Sequence, residues 1–383
     1  MGVSVLNTRS LPPEEYGDVR YVNNFVSFFA GILLLGYFVS SSRLLAIAKT
    51  KEEANKIKGG TIVILAITAV AMTVLMITCG LIHKDILHKA YAYLFFSTSL
   101  VCISPLLLNY INTTSQGDNS IGTIALARLL PSTTYLVVGF LVYNCFGATP
   151  KLMLWLNNGI AIVILTILII CNHPSFKNLK KSLKIIQDEN RKYGLHVYYG
   201  SIANISVAYI AGITLGLFSV NNINVAYYTL ALTISSPLQM APSVIGTTYF
   251  KHFAYQKYIS SKILKTTALI SILSFLIFCI VIFPLVRILY SPSYQIVAYF
   301  ACFLALSAIS TGIGDVFNRF LGAHGQGKSL RNGAWFSGII SLLGYTIGIY
   351  YFDIFGAIST RILSSAAYSI SMIYYYRYFV KRA

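Results

Sequence analysis

Charged residues are scarce in this chain. Only 10% of its 383 residues are Asp, Glu, Lys or Arg, while 56% are hydrophobic. Soluble domains carry charges on about a quarter of their residues, so this composition excludes a water-soluble globular protein. Apolar stretches of about 20 residues, the length that crosses a bilayer, recur from Tyr21 to the C-terminus. The sequence therefore predicts an all-α polytopic membrane protein.

Acidic residues are the scarcer of the two charge types, with 11 Asp and Glu against 29 Lys and Arg. A basic excess of this size raises the question of a nucleic-acid partner, because basic patches neutralise phosphate. Here, however, most of the basic residues lie in short segments between apolar stretches. That pattern is typical of topology control in a membrane protein. We therefore expect the lipid bilayer as a partner, and no nucleic acid.

Signatures of metal and covalent chemistry are also lacking. The six cysteines lie in or beside apolar segments and form no C-x-x-C pair, so they are interpreted as small buried hydrophobes. His83 and His88, the closest histidine pair, lack the spacing of a zinc site. No Ser-His-Asp or Cys-His arrangement is identifiable. We expect no metal, no cofactor and no enzymatic activity.

Apolar length and helical patterning predict eleven membrane spans. Their approximate bounds are 21–45, 60–82, 91–111, 121–144, 151–171, 197–219, 223–249, 264–288, 294–318, 333–352 and 354–376. The segments between them alternate between basic and nearly uncharged, and basic segments stay on the cytoplasmic side during insertion. The C-terminus and the long segment 172–196 are therefore predicted to be cytoplasmic.

Segment 172–196 divides the chain into an N-terminal lobe (1–171) and a C-terminal lobe (197–383), and it is predicted to be a basic cytoplasmic linker. Phe176, Leu179, Leu183 and Ile186 recur in it at helical spacing among lysines. This favours either an amphipathic helix on the anionic inner leaflet or a solvated connector.

The N-terminus departs from this scheme. Eleven spans and a cytoplasmic C-terminus place the N-terminus outside, but no cleavable signal peptide that would direct it there is recognisable. The letters VSVL within Met1–Ser10 look like the last turns of a helix. We expect a first helix that is truncated, or a misassigned start, and a parent of twelve spans in two six-helix lobes. EEYGDVRYVNN and NINVAYYTLAL, at matching places in the two halves, are a faint repeat of the kind found in transporters.

Three stretches resemble Wzx-type O-antigen and polysaccharide flippases. They are TRSLPPEEYG (residues 8–17), residues 193–242, and the stretch from GAHGQGKSLRN at Gly322 to the C-terminus. In the first, Pro12 replaces a usual glycine. The resemblance implies two pseudo-symmetric six-helix lobes of the multidrug/oligosaccharidyl-lipid/polysaccharide exporter superfamily. It also implies a bacterial inner-membrane flippase that moves undecaprenyl-pyrophosphate-linked oligosaccharide by alternating access, with an O-antigen polymerase and a chain-length regulator as candidate partners.

An anionic lipid pyrophosphate requires cations held in a cavity. Arg128 and Arg361 fall inside predicted spans, where arginine normally faces protein or water, so they are candidate substrate ligands, with carbonyl pairing or snorkelling as the alternative. Arg43 follows three serines near a cytoplasmic helix end and is a third candidate, although positive-inside anchoring explains it equally well. Asp315 and Arg319 are spaced to form a pair on one helix face, structural or coupling in role.

Two other functions remain as alternatives. A cation-coupled multidrug exporter of the same superfamily would usually bring more buried carboxylates, and a membrane O-antigen polymerase or glycosyltransferase would usually carry a long outer loop. A further motif, Gly322 to Ser329, matches the phosphate loop G-x-x-x-x-G-K-S of ATPases. That loop functions between a strand and a helix, whereas here it joins two predicted spans, so nucleotide hydrolysis is not expected.

Overall fold

The protein is helical throughout, as predicted. The computed structural model describes the backbone of residues 2–382 and their side chains except at positions 200, 203, 204 and 206, and this part of the chain contains no strand. The first nine helices are α1 (Gly2–Ser10), α2 (Pro13–Ile32), α3 (Tyr37–Ile47), α4 (Lys51–Leu81), α5 (Ala92–Ser99), α6 (Ser104–Gly117), α7 (Ile121–Phe146), α8 (Pro150–Cys171) and α9 (Leu179–Glu189). They are followed by α10 (Leu195–Phe218), α11 (Ile223–Ser235), α12 (Pro237–Thr248), α13 (Phe250–Phe253), α14 (Ser261–Leu289), α15 (Val297–Ala323), α16 (Gly327–Leu343) and α17 (Ile349–Arg382).

Several of these helical segments are long and apolar enough to cross a membrane. Among the described residues there are six, or up to eight when the bent pairs α2–α3 and α5–α6 each count as one span. Every predicted span overlaps a helix, but breaks and mergers change the count. Predicted span 223–249, for example, is divided between α11 and α12 at Ser236. The chain is thus a multi-pass membrane protein, and the number eleven stays a prediction.

The described chain packs as two compact units. The first-half unit comprises Tyr21–Ile205, and the second-half unit comprises Val3–Arg20 together with the chain from Ser206 onward. Residues 2–10 are helical, as the VSVL pattern predicts, and residues 3–20 pack with the second half of the chain. The proposed lobes 1–171 and 197–383 stay a prediction.

A sharp bend separates α2 from α3 in the first-half unit. The two helices meet at 54°, and the backbone between them is left-handed at Leu35 (φ 45°) and Gly36 (φ 80°). The Asn190 side chain holds this bend, since its Nδ2 donates to the Leu35 carbonyl at 3.1 Å. Its Oδ1 accepts a hydrogen bond from Ser40 Oγ at 3.2 Å. The end of the linker therefore braces the first predicted span.

The linker contains the predicted helix, but the surroundings of that helix differ from both interpretations. Ile186 of α9 is wholly buried. It belongs to a hydrophobic cluster with Leu44 of α3 and Ile57 of α4, and Leu183 packs against the same cluster. The apolar side of α9 thus lies on protein, and neither the leaflet-bound helix nor the solvated connector describes it.

In the second-half unit, one helical segment of 56 residues runs from Gly327 to Arg382. A straight helix of that length would extend roughly 84 Å, about twice the thickness of a bilayer with its headgroups. The segment turns at Asp353, whose φ of 49° and ψ of −128° are not helical. The Asp353 carboxylate accepts hydrogen bonds from Ser219 Oγ at 2.9 Å and Asn224 Nδ2 at 2.6 Å. These donors fix a backbone conformation that L-residues rarely adopt.

Replacing Asp353 with Ala should destabilise this unit. Asp353→Ala removes the shared acceptor of Ser219 and Asn224 and leaves the backbone strain in place, so we expect a loss of about 2–3 kcal/mol in the free energy of unfolding. Asp353→Asn keeps one acceptor oxygen and a residue type that tolerates positive φ, so its loss should be smaller. Unfolding by SDS in mixed micelles measures both. Equal stability of Asp353→Ala and wild type would contradict this account of the turn.

Candidate functional site

A partly buried arginine stands at the centre of the candidate site in the second-half unit. The Arg361 side chain projects from α17, and its Nε is buried without a hydrogen-bond partner among the described residues. The guanidinium interacts electrostatically with Tyr345 and Tyr228. Tyr345 is wholly buried and Tyr228 is 4% exposed. A partly exposed cation therefore lies beside two buried tyrosines and keeps a donor without a protein acceptor among the described residues.

Close helix packing brings these three side chains together. A Cβ atom on Gly356 of α17 would lie 2.0 Å from the Gly348 carbonyl oxygen, so the two backbones are in direct contact there. Gly348 ends a short π-helical segment, Gly344–Gly348, that carries Tyr345. Tyr228 is contributed by α11, which contacts α17. The site therefore draws on α11, the segment after α16, and α17.

Asp315 lies on α15, which packs against α17. Its Oδ1 accepts a hydrogen bond from Tyr368 at 3.1 Å, and its Oδ2 accepts one from Gln239 Nε2 at 3.3 Å. Tyr368 is seven residues, or about 10 Å of helix, beyond Arg361 on α17. Arg319 is exposed, and no ion pair joins it to Asp315 in the described chain. The structure thus gives Asp315 different partners from the one that its spacing predicts.

The other two candidate arginines lie in the first-half unit and have different environments. Arg43 Nη1 forms an ion pair with Glu189 Oε1 at 2.5 Å, and its guanidinium lies 4.9 Å from the centre of the Tyr193 ring. Arg128 is exposed on α7, where its Nε is 3.4 Å from the amide oxygen of Asn112. Arg43 is therefore paired with the linker, whereas the one contact of Arg128 with an acceptor in the described chain is that of its Nε.

The segment that matches a phosphate loop, Gly322–Ser329, joins the end of α15 to the start of α16. Gly325 turns the chain there, with φ 68°. The motif therefore connects two helices and lacks the strand-to-helix setting in which its backbone amides would cradle phosphates. The sequence predicts this helix-to-helix connection.

Sequence reasoning did not identify Tyr228 and Tyr345 as part of the site, because the chain contains 28 tyrosines and many are interpreted as interfacial anchors. A usable signal existed for Tyr345, which lies in the run GYTIG between two glycines. Paired small residues permit close helix approach in membranes. Tyr228 carried no such signal.

Comparisons with solved structures identify the fold. The chain is similar to a multidrug resistance MATE family transporter of the MOP superfamily in an inward-facing conformation, with 16% identity, a TM-score of 0.70, and coverage of 100% of this chain and 93% of that one. It is also similar to the lipid II flippase MurJ in an inward closed conformation, with 13% identity, a TM-score of 0.71, and coverage of 98% and 84%. A MOP superfamily transporter from Pyrococcus furiosus gives 15% identity, a TM-score of 0.52, and coverage of 99% and 98%. The protein therefore has the fold of this transporter superfamily.

Comparisons of sequence identify the family. No curated protein matches the chain. A family model described as "Polysaccharide biosynthesis protein" matches residues 1–250, well over half of the chain. The chain therefore belongs to this polysaccharide biosynthesis protein family, and within it the resemblance to polysaccharide flippases is confirmed at the level of family and fold.

Proposed function

We propose that this protein is a flippase that moves undecaprenyl-pyrophosphate-linked oligosaccharide, an O-antigen unit, across the bacterial inner membrane by alternating access. The observation that carries the proposal is Arg361, a membrane-embedded cation whose Nε has no protein partner in the described chain. The membership of a polysaccharide biosynthesis family supports a saccharide cargo. We further propose a cytoplasmic C-terminus, and an O-antigen polymerase and a chain-length regulator as partners that act after translocation.

The chemistry of the cargo fits this cation. A pyrophosphate diester is anionic and presents oxygens that accept paired N–H donors, which the planar guanidinium supplies. Placing arginine at membrane depth costs at least about 2.5 kcal/mol, so an arginine there favours a functional role such as ligand binding. The Tyr228 and Tyr345 hydroxyls beside it could add neutral donors. In this proposal Arg361 binds the pyrophosphate, and Arg128 is a second candidate contact.

A cation-coupled drug exporter would use the same fold, and a MATE transporter is among the structural neighbours. Such an exporter needs free carboxylate oxygens for a coupling ion or for the cationic drug. Asp315 and Asp353, the acids on the helices around Arg361, each accept hydrogen bonds from two protein side chains. These hydrogen bonds come from neutral side chains and occupy acceptor sites of both carboxylates, whereas the Arg361 Nε donor has no acceptor in the described chain; the unused donor favours an anionic cargo.

Reconstitution tests the proposal. Purified protein in proteoliposomes should accelerate the appearance, in the opposite leaflet, of an undecaprenyl-pyrophosphate oligosaccharide that a membrane-impermeant lectin detects. Protein-free vesicles give the background rate, and undecaprenol carrying no phosphate should not be moved. A flipping rate equal to that of empty vesicles would contradict the proposal. So would efflux of a cationic dye coupled to sodium or protons, which would instead support the exporter.

A further inference from the structure

A cation-rich cavity lies in the first-half unit, where α3 ends and α4 begins. Its volume is about 410 Å³, and its polar lining includes Lys49, Lys51, Lys58, Asp118 and His173. Pockets that bind small molecules usually begin at about 300 Å³, so the cavity is large enough for a headgroup-sized ligand. It lies among the basic segments that the positive-inside rule predicts to be cytoplasmic.

Two acidic groups near this cavity are paired with lysines, and a third, Glu53, is not so paired within the described chain. The Asp118 carboxylate pairs with Lys58 Nζ at 2.7 Å, and Lys58 is 6% exposed, so this neutral pair forms the floor. Glu52 pairs with Lys56 at 2.7 Å. Glu53 accepts a hydrogen bond from the Lys49 backbone N–H at 3.2 Å.

The lysines at the rim keep their charges unpaired. Lys49 and Lys51 are both exposed, and neither ammonium group lies within ion-pair distance of a carboxylate in the described chain. Lys49 and Lys51 therefore outnumber the one nearby carboxylate that has no ion-pair partner in the described chain, Glu53, and the cavity keeps a net positive charge above a neutral floor. A ligand that enters it is expected to be an anion, because an anion compensates charges that the protein leaves uncompensated.

The start of α4 adds to this preference. Thr50, Lys51, Ala54 and Lys58 line the cavity, and they belong to the N-cap and the first two turns of a helix 31 residues long. The N-terminal turn of a helix carries partial positive charge and amide N–H groups that lack intrahelical acceptors. Thr50 Oγ1 satisfies one of them, the Glu53 N–H, at 3.2 Å. Within the described chain, the Lys51 and Glu52 N–H groups belong to the first turn and have no intrahelical acceptor, and they lie beside the two unpaired lysines.

We propose that this cavity is a phosphate-binding site that takes a phosphate ester through Lys49, Lys51 and the first turn of α4. The ester is either the headgroup of an anionic phospholipid in the adjacent leaflet or a soluble phosphate compound, since the recognising chemistry is the same for both. The site is built from the first-half unit alone, and its occupation does not depend on what the protein transports.

Native mass spectrometry of the full-length protein released from nanodiscs tests for the lipid. The nanodiscs contain equal amounts of phosphatidylglycerol and phosphatidylcholine, which share a phosphodiester but differ in net charge. Thermal unfolding in detergent with glycerol 3-phosphate or inorganic phosphate tests for a soluble ligand. The test variant is Lys49→Gln/Lys51→Gln, which changes exposed side chains and should fold normally. The matched control is Lys180→Gln/Lys181→Gln, which removes the same charge from exposed positions on α9 that do not line the cavity.

Wild type and the α9 control should behave alike, because Lys180 and Lys181 do not line the cavity. The test variant lacks both lysines that would contact the phosphate, so it should bind at least about tenfold more weakly. If wild type retains phosphatidylglycerol and the test variant does not, the ligand is the lipid headgroup. A rise in unfolding temperature with glycerol 3-phosphate or inorganic phosphate, lost in the same variant, identifies a soluble ligand. Equal losses in the test variant and the α9 control would overturn the proposal in favour of diffuse electrostatic attraction. Failure of wild type to bind any of the three probes would also overturn it.

Discussion

Replacing Arg361 with Ala should reduce transport of the pyrophosphate-linked lipid by roughly 10- to 100-fold. The expected loss corresponds to one charge-assisted interaction with the cargo, about 1.5–3 kcal/mol. In cells, lipid-linked units should accumulate in the inner leaflet and surface polysaccharide should fall. Arg361→Lys keeps the charge but loses the planar fork, so it should be intermediate.

A purely structural role for Arg361 would also lower activity, and a comparison of ligands separates the two roles. Undecaprenyl pyrophosphate and undecaprenol differ only in the anionic group. If Arg361 binds the pyrophosphate, wild type is stabilised against heat more by the charged lipid than by the neutral one, and Arg361→Ala abolishes that difference. A structural role lowers the unfolding temperature with either lipid and leaves the difference intact.

Arg128→Ala provides the matched comparison, because Arg128 also lies within a predicted span but is exposed and contacts Asn112 only at 3.4 Å. A larger defect in Arg128→Ala than in Arg361→Ala would move the main phosphate contact to α7. Normal surface polysaccharide in both variants would exclude both residues as phosphate ligands.

The sequence predicts the helices well where apolar length alone determines them. Predicted spans 121–144 and 151–171 correspond to α7 (Ile121–Phe146) and α8 (Pro150–Cys171). Helix α4 begins at Lys51, nine residues before predicted span 60–82. Lys58 lies in this added part of the helix and is 6% exposed. Its burial depends on Asp118, 60 residues away, and no local pattern contains that information.

The candidate site shows the same limit. An arginine inside an apolar span is conspicuous in the sequence, so Arg361 is predicted from one position. Its neighbours Tyr228 and Tyr345 are defined by packing between distant helices. Asp353 was placed between two predicted spans, but its φ of 49° is stabilised by Ser219 and Asn224, more than 120 residues away. A cation inside an apolar span can be predicted from the sequence, whereas the side chains that surround it are known only once the fold is known.

Replacing Gly356 with Ala should be the most destabilising of these substitutions. The new Cβ would lie 2.0 Å from the Gly348 carbonyl oxygen and 2.3 Å from its carbon. Both are backbone atoms that cannot rotate away, so the two segments must separate. Overpacking typically costs about 1–3 kcal/mol of stability and occasionally more. Because both contacting groups are backbone, we expect the free energy of unfolding in SDS to fall by about 3 kcal/mol or more. Tyr345 precedes Gly348 by three residues and Arg361 follows Gly356 by five, so transport should fall as well.

A graded set of glycines distinguishes this contact from a general effect of adding a methyl group. A Cβ at Gly348 would meet the Thr360 hydroxyl at 3.2 Å, a side-chain atom that can move, so Gly348→Ala should be milder. A Cβ at Gly159 on α8 would meet nothing within 4 Å, and Gly159→Ala should therefore stabilise the helix by about 0.5–1 kcal/mol. The expected order of stability is Gly159→Ala, wild type, Gly348→Ala and Gly356→Ala. Gly356→Ala unfolding like wild type would show that the two segments are not in contact at Gly348, and the packing that positions Arg361 beside Tyr345 would then be wrong.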